Sequence, residues 1–166
     1  MKVLYGARLF DGERLLDDRA LVVDGTRIAA IVSVADRPRA EAIDLGGGVL
    51  APGFVDWQIN GGGGALFNAN PTVEGIAKIA AAHAQAGVTG FLPTVITDAP
   101  NVLKSALSAA REAFGRVPAA LGLHVEGPHI DPRRPGVHPP QWIRPMREAD
   151  AGALIAARCG VMVVTL

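Results

Sequence analysis

The sequence predicts an α/β protein: the first half of a (β/α)8 TIM-type barrel, preceded by a small antiparallel β-sandwich unit. Two observations support this fold. Residues 1–50 hold short segments of alternating apolar residues separated by glycine-containing turns, whereas residues 51–166 alternate strand-like runs with amphipathic helical segments. Repeated strand-helix units are typical of a parallel sheet. We therefore expect two domains, residues 1–50 and residues 51–166, the second carrying the first four strand-helix units of an incomplete barrel.

The N-terminal unit is predicted to contain short strands, because its apolar residues recur with the period of two that is typical of a half-buried strand. Asp24-Gly25 predicts a tight hairpin, since both turn positions tolerate positive φ angles. The predicted strands are residues 2–5, 20–23, 27–32 and 41–45.

The barrel unit is predicted to alternate strands and helices. Asn70 offers an N-cap for the first helix, and Asp98 or Asn101 offers one for the second. A complete barrel of this kind takes roughly 250 residues and eight strands, so we expect this chain to be a fragment. The predicted strands are residues 49–60, 89–95, 121–126 and 161–166, and the predicted helices are residues 71–87, 98–114 and 148–158.

Composition excludes several classes of function. Sixteen basic residues balance sixteen acidic ones in the 166-residue chain, so no nucleic-acid partner and no electrostatic membrane anchor is expected. Neither an apolar leader nor a membrane-spanning run is found. The single cysteine, Cys159, cannot form an internal disulfide, which suits a reducing compartment. We expect a cytoplasmic protein.

The first barrel strand presents polar side chains on one face. Alternation places Asp56, Gln58 and Asn60 together and directs Val55, Trp57 and Ile59 to the helix-covered side. Polar residues near the carboxyl end of a barrel strand favour a binding site above the core. The alternative is a buried layer of side chains that only satisfy one another. The four glycines at 61–64 lack the spacing of a phosphate-binding P-loop, so a turn or flexible loop is expected there.

The third barrel strand ends on a carboxylate. Gly122, His124 and Glu126 share one face of this strand, and Gly127-Pro128 breaks it immediately after Glu126. Ligands and metals lie at the carboxyl ends of parallel strands, which makes Glu126 the first candidate for chemistry. The alternative is a glutamate that caps the next loop or pairs with a surface cation.

Several motifs together resemble a known family. Leu50-Ala51-Pro52-Gly53-Phe54-Val55-Asp56 resembles the amidohydrolase superfamily, in which a metal-binding His-x-His pair often follows the aspartate. This chain has Gln58-Ile59-Asn60 at that place. This tripeptide, together with Leu92-Pro93-Thr94 and His124-Val125-Glu126-Gly127-Pro128, resembles the N-acetylglucosamine-6-phosphate deacetylase family. The resemblance is to the branch of that family that uses one metal rather than two.

The resemblance implies roles for five residues. Glu126 matches a metal ligand, and Gln58 and Asn60 stand where the histidines of a second metal would be. His138 matches a histidine that binds and polarises the acetamide carbonyl, although Pro139 stands where asparagine is common in the family. We assign Gln58, Asn60, Gly127 and His138 to substrate binding, and His138 also to catalysis. Without the resemblance, His138 would be read as an ordinary loop histidine.

The resemblance also implies a reaction: metal-dependent hydrolysis of the acetamide of N-acetylglucosamine 6-phosphate to glucosamine 6-phosphate and acetate, in amino-sugar catabolism. It implies one divalent metal ion, with zinc as first choice and iron, manganese or cobalt as alternatives. The partner is a phosphorylated amino sugar, and the full-length protein is expected to be a homodimer. The remaining metal ligands and the catalytic aspartate of the family would lie beyond Leu166, so this chain alone is expected to be inactive.

Two alternatives stay open. The first is another amidohydrolase, acting on a cyclic amide or an amine, which the absent His-x-His pair disfavours. The second is a non-catalytic half-barrel that serves as a binding or assembly module.

Overall fold

The computed structural model describes residues 1–166, which form two compact units, Met1–Pro52 and Gly53–Leu166. Each unit has its own buried apolar cluster. None of the helices is both long enough and apolar enough to span a lipid bilayer.

The N-terminal unit contains seven short strands in two sheets. The strands are β1 (Lys2–Tyr5), β2 (Arg8–Phe10), β3 (Leu15–Leu16), β4 (Arg19–Asp24), β5 (Arg27–Ser33), β6 (Glu41–Asp44) and β7 (Val49–Leu50). One sheet has the order β5-β4-β1-β6 and the other the order β3-β2-β7. Val3, Ala20 and Val22 form the buried centre of the unit.

The purely antiparallel character predicted for this unit is wrong. The β4-β5 hairpin turns at Asp24-Gly25 as expected, with Asp24 paired to Arg27. However, β1 pairs with β6 and β2 pairs with β7 in parallel. Turn signals in the sequence specify only the pairing of strands that are joined by a tight turn, whereas long connections separate the parallel pairs. A sandwich arrangement of the two sheets stays a prediction.

The C-terminal unit alternates strands and helices. Its elements are β8 (Phe54–Ile59), β9 (Gly61–Gly62), β10 (Ala65–Leu66), α1 (Val73–Ala84), β11 (Val88–Ile96), α2 (Pro100–Ala113), β12 (Gly122–Glu126), a 3-10 turn (Pro140–Trp142), α3 (Glu148–Ala156) and β13 (Val161–Thr165). Four of the strands form a parallel sheet of order β13-β12-β11-β8, which fits part of a (β/α) barrel. A small hairpin, β9-β10, precedes α1.

The helix starts differ from those predicted. Thr72, not Asn70, caps α1: its Oγ1 accepts a hydrogen bond from the Gly75 amide at 3.0 Å. Asn70 instead belongs to the turn after β10, where its amide donates to the Leu66 carbonyl at 3.0 Å. Helix α2 begins at Pro100 without a side-chain cap, because Asp98 accepts from the adjacent Ala99 amide. Proline at the first position removes one of the amides that a cap would satisfy.

The core of this unit lies between the sheet and its covering helices. Cys159 is buried there, and burial raises the pKa of its thiol. On β8 only Ile59 is buried, whereas Val55 and Trp57 are each 68% exposed. The expectation that all three face a helix is therefore wrong for Val55 and Trp57: β8 is an edge strand, and α1 packs on β11 and on the β9-β10 hairpin.

The glycines at 61–64 form a tight hairpin rather than a flexible loop. Gly62 pairs with Ala65, and the turn residues Gly63 and Gly64 both have positive φ angles, which matches the turn type that two-residue hairpins prefer. His83 on α1 holds this hairpin through a 3.0 Å contact between its Nε2 and the Gly61 carbonyl.

Candidate active site

Glu126 occupies the last position of β12, at the carboxyl edge of the sheet. It lies in register with Ile96 on β11 and Thr165 on β13. The strand ends there because Gly127 takes a φ of +75° and turns the chain, while its amide donates to the Thr165 carbonyl at 3.1 Å. The Glu126 side chain keeps 22% of its surface exposed, so it lies beneath an opening and is not sealed in the core.

Two other predicted site residues contact this carboxylate. Nε2 of Gln58, at the end of β8, donates to Oε2 of Glu126 at 3.1 Å. Nε2 of His138, from the loop after β12, lies 3.7 Å from Oε1 of Glu126. An amide from β8, a carboxylate from β12 and an imidazole from the loop after β12 therefore meet at one edge of the sheet.

On the side of its ring away from Glu126, His138 contacts Thr97, a residue that the sequence analysis did not single out. Its side chain is 8% exposed, and its Nδ1 lies 2.8 Å from Oγ1 of Thr97. Thr97 follows directly after β11 and is 2% exposed. The signal that could have found it is its position, because residues just past a parallel strand share an edge with the ends of neighbouring strands.

Gly127 allows this arrangement by having no side chain. A Cβ at this position would lie 2.1 Å from Oγ1 of Thr97 and 3.4 Å from Nδ1 of His138. The first distance is far below van der Waals contact. The absence of a side chain at Gly127 therefore lets Thr97 and His138 approach each other. The predicted contact of Gly127 with substrate stays a prediction.

Asn60 is not joined to this group by a hydrogen bond. Its backbone carbonyl accepts from the Phe67 amide at 2.8 Å, which begins the β9-β10 hairpin. Asn60 follows directly after β8, whereas Gln58 lies within it. Its assignment to substrate binding stays a prediction.

His124 lies behind Glu126 on the same strand and is buried. Its Nδ1 is 3.2 Å from Oγ1 of Thr94, and its Nε2 is 2.8 Å from Oγ1 of Thr165. Desolvation lowers its pKa, although the charge of Glu126 opposes this effect. With a hydroxyl partner on each ring nitrogen, His124 is a satisfied core histidine that links three strands.

The loop that carries His138 is anchored at its far end by Arg144. The Arg144 amide donates to the Pro128 carbonyl at 3.0 Å, and the Arg144 carbonyl contacts Nδ1 of His129 at 3.0 Å. Its guanidinium binds both carboxylate oxygens of Asp150 on α3. This hydrogen bonding, with a further bond from the Arg147 amide, holds the pKa of Asp150 far below its usual range.

A cavity of about 430 Å3 opens beside Glu126 and His138. Its wall includes Arg134 and Asp131 from the loop and Thr165 from the end of β13. The volume is within the range typical of small-molecule sites, about 300 to 1,000 Å3. The carboxylate and the imidazole thus face a space of the right size for a sugar.

The donor set fits a divalent metal only in part. The carboxylate of Glu126 is a suitable ligand, and the amide of Gln58 is a weak one. No group of three or more histidine, cysteine, aspartate or glutamate side chains is placed to hold a metal ion. Because a catalytic metal generally has three protein ligands, this chain offers one strong ligand and not a complete site.

Comparison with known proteins finds similarity along the whole chain. It is 36% identical to an N-acetylgalactosamine-6-phosphate deacetylase of Shewanella sp. (strain ANA-3), over 100% of this chain and 43% of that protein. It is 39% identical to an N-acetylglucosamine-6-phosphate deacetylase of Haemophilus influenzae, over 78% of this chain and 35% of that protein. The crystal structure of N-acetylglucosamine-6-phosphate deacetylase from Pasteurella multocida matches with a TM-score of 0.94 and 34% identity, over 99% of this chain and 44% of that one.

The chain therefore spans less than half the length of these relatives. The amidohydrolase family model matches residues 49–166, the segment that contains Gln58, Glu126 and His138. Members of this superfamily generally depend on a divalent metal. On the strength of that match, the chain belongs to the amidohydrolase family.

Proposed function

We propose that this chain supplies part of the active site of an N-acetylglucosamine-6-phosphate deacetylase, which hydrolyses the acetamide to glucosamine 6-phosphate and acetate in amino-sugar catabolism. One observation carries the proposal: Glu126 and His138 line one cavity, and Gln58, from a separate strand, donates a hydrogen bond to the Glu126 carboxylate. The relatives named above, similar over most or all of the chain, support it.

Glu126 is proposed as one ligand of a single divalent metal, with zinc as first choice and iron, manganese or cobalt as alternatives. A metal bound there would supply Lewis-acid polarisation of the acetamide carbonyl. Gln58 donates to Oε2 of Glu126 and so orients the carboxylate. Outer partners of this kind commonly tune a metal ligand. The other ligands and the general base are not among the residues assigned here.

His138 is proposed to bind the acetamide oxygen through its Nε2, the ring nitrogen nearer Glu126. A buried, oriented hydrogen-bond donor stabilises the negative charge that develops on this oxygen. Gln58, Asn60 and Gly127 are proposed as further substrate contacts. Arg134 lines the same cavity, which suits a substrate that carries a phosphate.

A titration of the chain itself tests binding. We would record NMR spectra of the labelled chain with increasing N-acetylglucosamine 6-phosphate, with and without one equivalent of Zn2+. Shifts at the side chains of Gln58 and His138 and at the Gly127 amide are expected. N-acetylgalactosamine 6-phosphate is run in parallel, because the Shewanella relative carries that name. Shifts that are confined to residues away from this cavity would contradict the proposal.

A hybrid enzyme tests the chemistry. In it, this chain replaces the matching 44% of the Pasteurella multocida protein. Metal-dependent acetate release is expected, with Glu126→Gln and His138→Asn each lowering kcat by about 100-fold or more. Exchange of the exposed Asp17 for asparagine is the control and leaves activity unchanged. Activity that survives Glu126→Gln and His138→Asn would exclude the proposed roles.

The remaining expectations concern the whole protein. We propose a cytoplasmic protein, which the unpaired Cys159 and a phosphorylated substrate support. We also propose that the full-length protein is a homodimer. Cell fractionation and sedimentation of the full-length gene product test these two points. If the chain instead forms a specific assembly and binds neither metal nor sugar phosphate, the non-catalytic module is the better interpretation. Turnover of a cyclic amide without turnover of the amino sugar would favour the other amidohydrolase alternative.

A further inference from the structure

We infer that the hydroxyl of Thr97, by donating to Nδ1 of His138, favours the tautomer that carries its proton on Nε2. Oγ1 of Thr97 donates to Nδ1, so the hydrogen of the neutral imidazole lies on Nε2 and faces Glu126 and the cavity. The assignment stands on this chain's own geometry, and its consequence for catalysis rests on the proposed function. Thr97 is thereby a positioning residue that acts through His138.

The first observation is the choice of acceptors for the Thr97 hydroxyl. Its Oγ1 lies 2.8 Å from Nδ1 of His138 and 3.5 Å from the Glu126 carbonyl. A hydroxyl has one hydrogen, and hydroxyl hydrogen bonds are ordinarily about 2.5 to 3.0 Å long. If Nδ1 carried a proton and donated it to Oγ1, the hydroxyl hydrogen would be left with only the carbonyl at 3.5 Å, so donation from Oγ1 to Nδ1 is the better arrangement. Since Thr97 is 2% exposed, water does not compete for it.

The second observation lies on the opposite side of the ring. Nε2 of His138 is 3.7 Å from Oε1 of Glu126. If Nδ1 carried the proton, the lone pair of Nε2 would point toward a carboxylate oxygen, placing two acceptors against each other. With the proton on Nε2, an N–H dipole points toward the carboxylate, which is attractive. Both sides of the ring thus favour the same tautomer.

The third observation is the space that Gly127 leaves open. A Cβ there would lie 2.1 Å from Oγ1 of Thr97, so any other residue would displace the hydroxyl from Nδ1. For the proposed reaction, the consequence is a donor at Nε2 for the acetamide oxygen. The other tautomer would present an acceptor there and could not bind a carbonyl.

The tautomer can be read directly. We would label the histidines with 15N and record long-range proton-nitrogen correlations at about pH 8.5, above the range in which histidines ordinarily titrate. The native chain is expected to show His138 protonated on Nε2. Thr97→Val keeps the shape but removes the hydroxyl. It is expected to make the Nδ1-protonated form visible, at up to about half of the population, because only Glu126 then favours Nε2. Thr97→Ser is expected to retain the native signal.

Two results would overturn the inference: a native His138 protonated on Nδ1, or a folded Thr97→Val variant with an unchanged tautomer. A native His138 protonated on Nδ1 overturns the inference even if Thr97→Val does not fold, and the signals of His124 report on folding in every sample. In the hybrid enzyme, Thr97→Val should lower kcat by up to about twofold with little change in KM, in proportion to the tautomer that is lost, and Thr97→Ser should keep the native kcat. An inactive hybrid with the expected tautomer would count against the proposed function and leave the inference intact.

Discussion

Gln58 and Glu126, 68 residues apart in sequence, are joined by a 3.1 Å hydrogen bond from Nε2 to Oε2. The bond crosses from β8 to β12, although β11 lies between these strands in the sheet. Two side chains can reach each other in this way when both point to the same face at the same edge. The Gln58 amide therefore orients the Glu126 carboxylate in this chain.

Exchange of Gln58 for methionine removes that donor and keeps a side chain of similar length. We expect the affinity of the hybrid enzyme for Zn2+ to fall about tenfold, because groups that orient a metal ligand commonly contribute this much. Competition against a chelating dye measures the affinity. Gln85→Met, at the exposed end of α1, is the matched control. Equal affinity in the two variants would remove Gln58 from the proposed site.

The Arg144-Asp150 pair predicts a pH-dependent stability. Because hydrogen bonding lowers the pKa of Asp150, its contribution is complete above about pH 4, the usual pKa of an unfolded aspartate, and declines as the pH falls further. Asp150→Asn is expected to reduce the free energy of unfolding at pH 7 by about 1 kcal/mol, a value reduced for partial solvent exposure. Urea unfolding at pH 7 and pH 3 measures both effects.

The control for this pair is Asp17→Asn, which removes an exposed ion pair with Arg8 and should leave stability unchanged at both pH values. The native chain and Asp150→Asn should differ less at pH 3 than at pH 7. A difference that stays constant with pH would mean that the carboxylate charge contributes nothing.

Much of the barrel unit could be predicted from the sequence. The mixed α/β architecture and the parallel sheet follow from the change of hydrophobic period after residue 50, and the structure confirms both. The burial of Ile59 follows from alternation, but the exposure of Val55 and Trp57 does not. Periodicity tells which side chains share a face, whereas the covering of that face depends on where a helix packs.

Parts of the site could not be predicted, for a related reason. Alternation puts Glu126 and Gln58 on identifiable faces. The position of Thr97 just past β11 indicates only a shared edge, because its partner His138 lies 41 residues away. The parallel pairing of β1 with β6 is equally nonlocal. The cap at Thr72 is a local feature, and Asn70-Pro71 obscured it because that pair also has the composition of a helix start.

The contact between His83 and the glycine hairpin predicts a coupled pair of substitutions. A Cβ on Gly62 would lie 2.8 Å from the His83 ring. Gly62→Ala should therefore break the bond from His83 to the Gly61 carbonyl and lower stability by about 1 kcal/mol. His83→Ala should cost a similar amount, and the double variant should cost less than the sum of the two. Additive losses in urea unfolding would contradict this coupling.

Gly127→Ala should be the most destabilising of these substitutions. The new Cβ would meet Oγ1 of Thr97 at 2.1 Å, and the residue would have to keep a φ of +75°. Overpacking and left-handed strain each cost roughly 1 to 3 kcal/mol, so a loss of about 3 kcal/mol is expected. Gly136→Ala separates the two causes, because Gly136 also has a positive φ but open space around it. It should lose only about 1 kcal/mol. Equal losses for the two variants in urea unfolding would mean that the contact between Thr97 and Gly127 carries no cost.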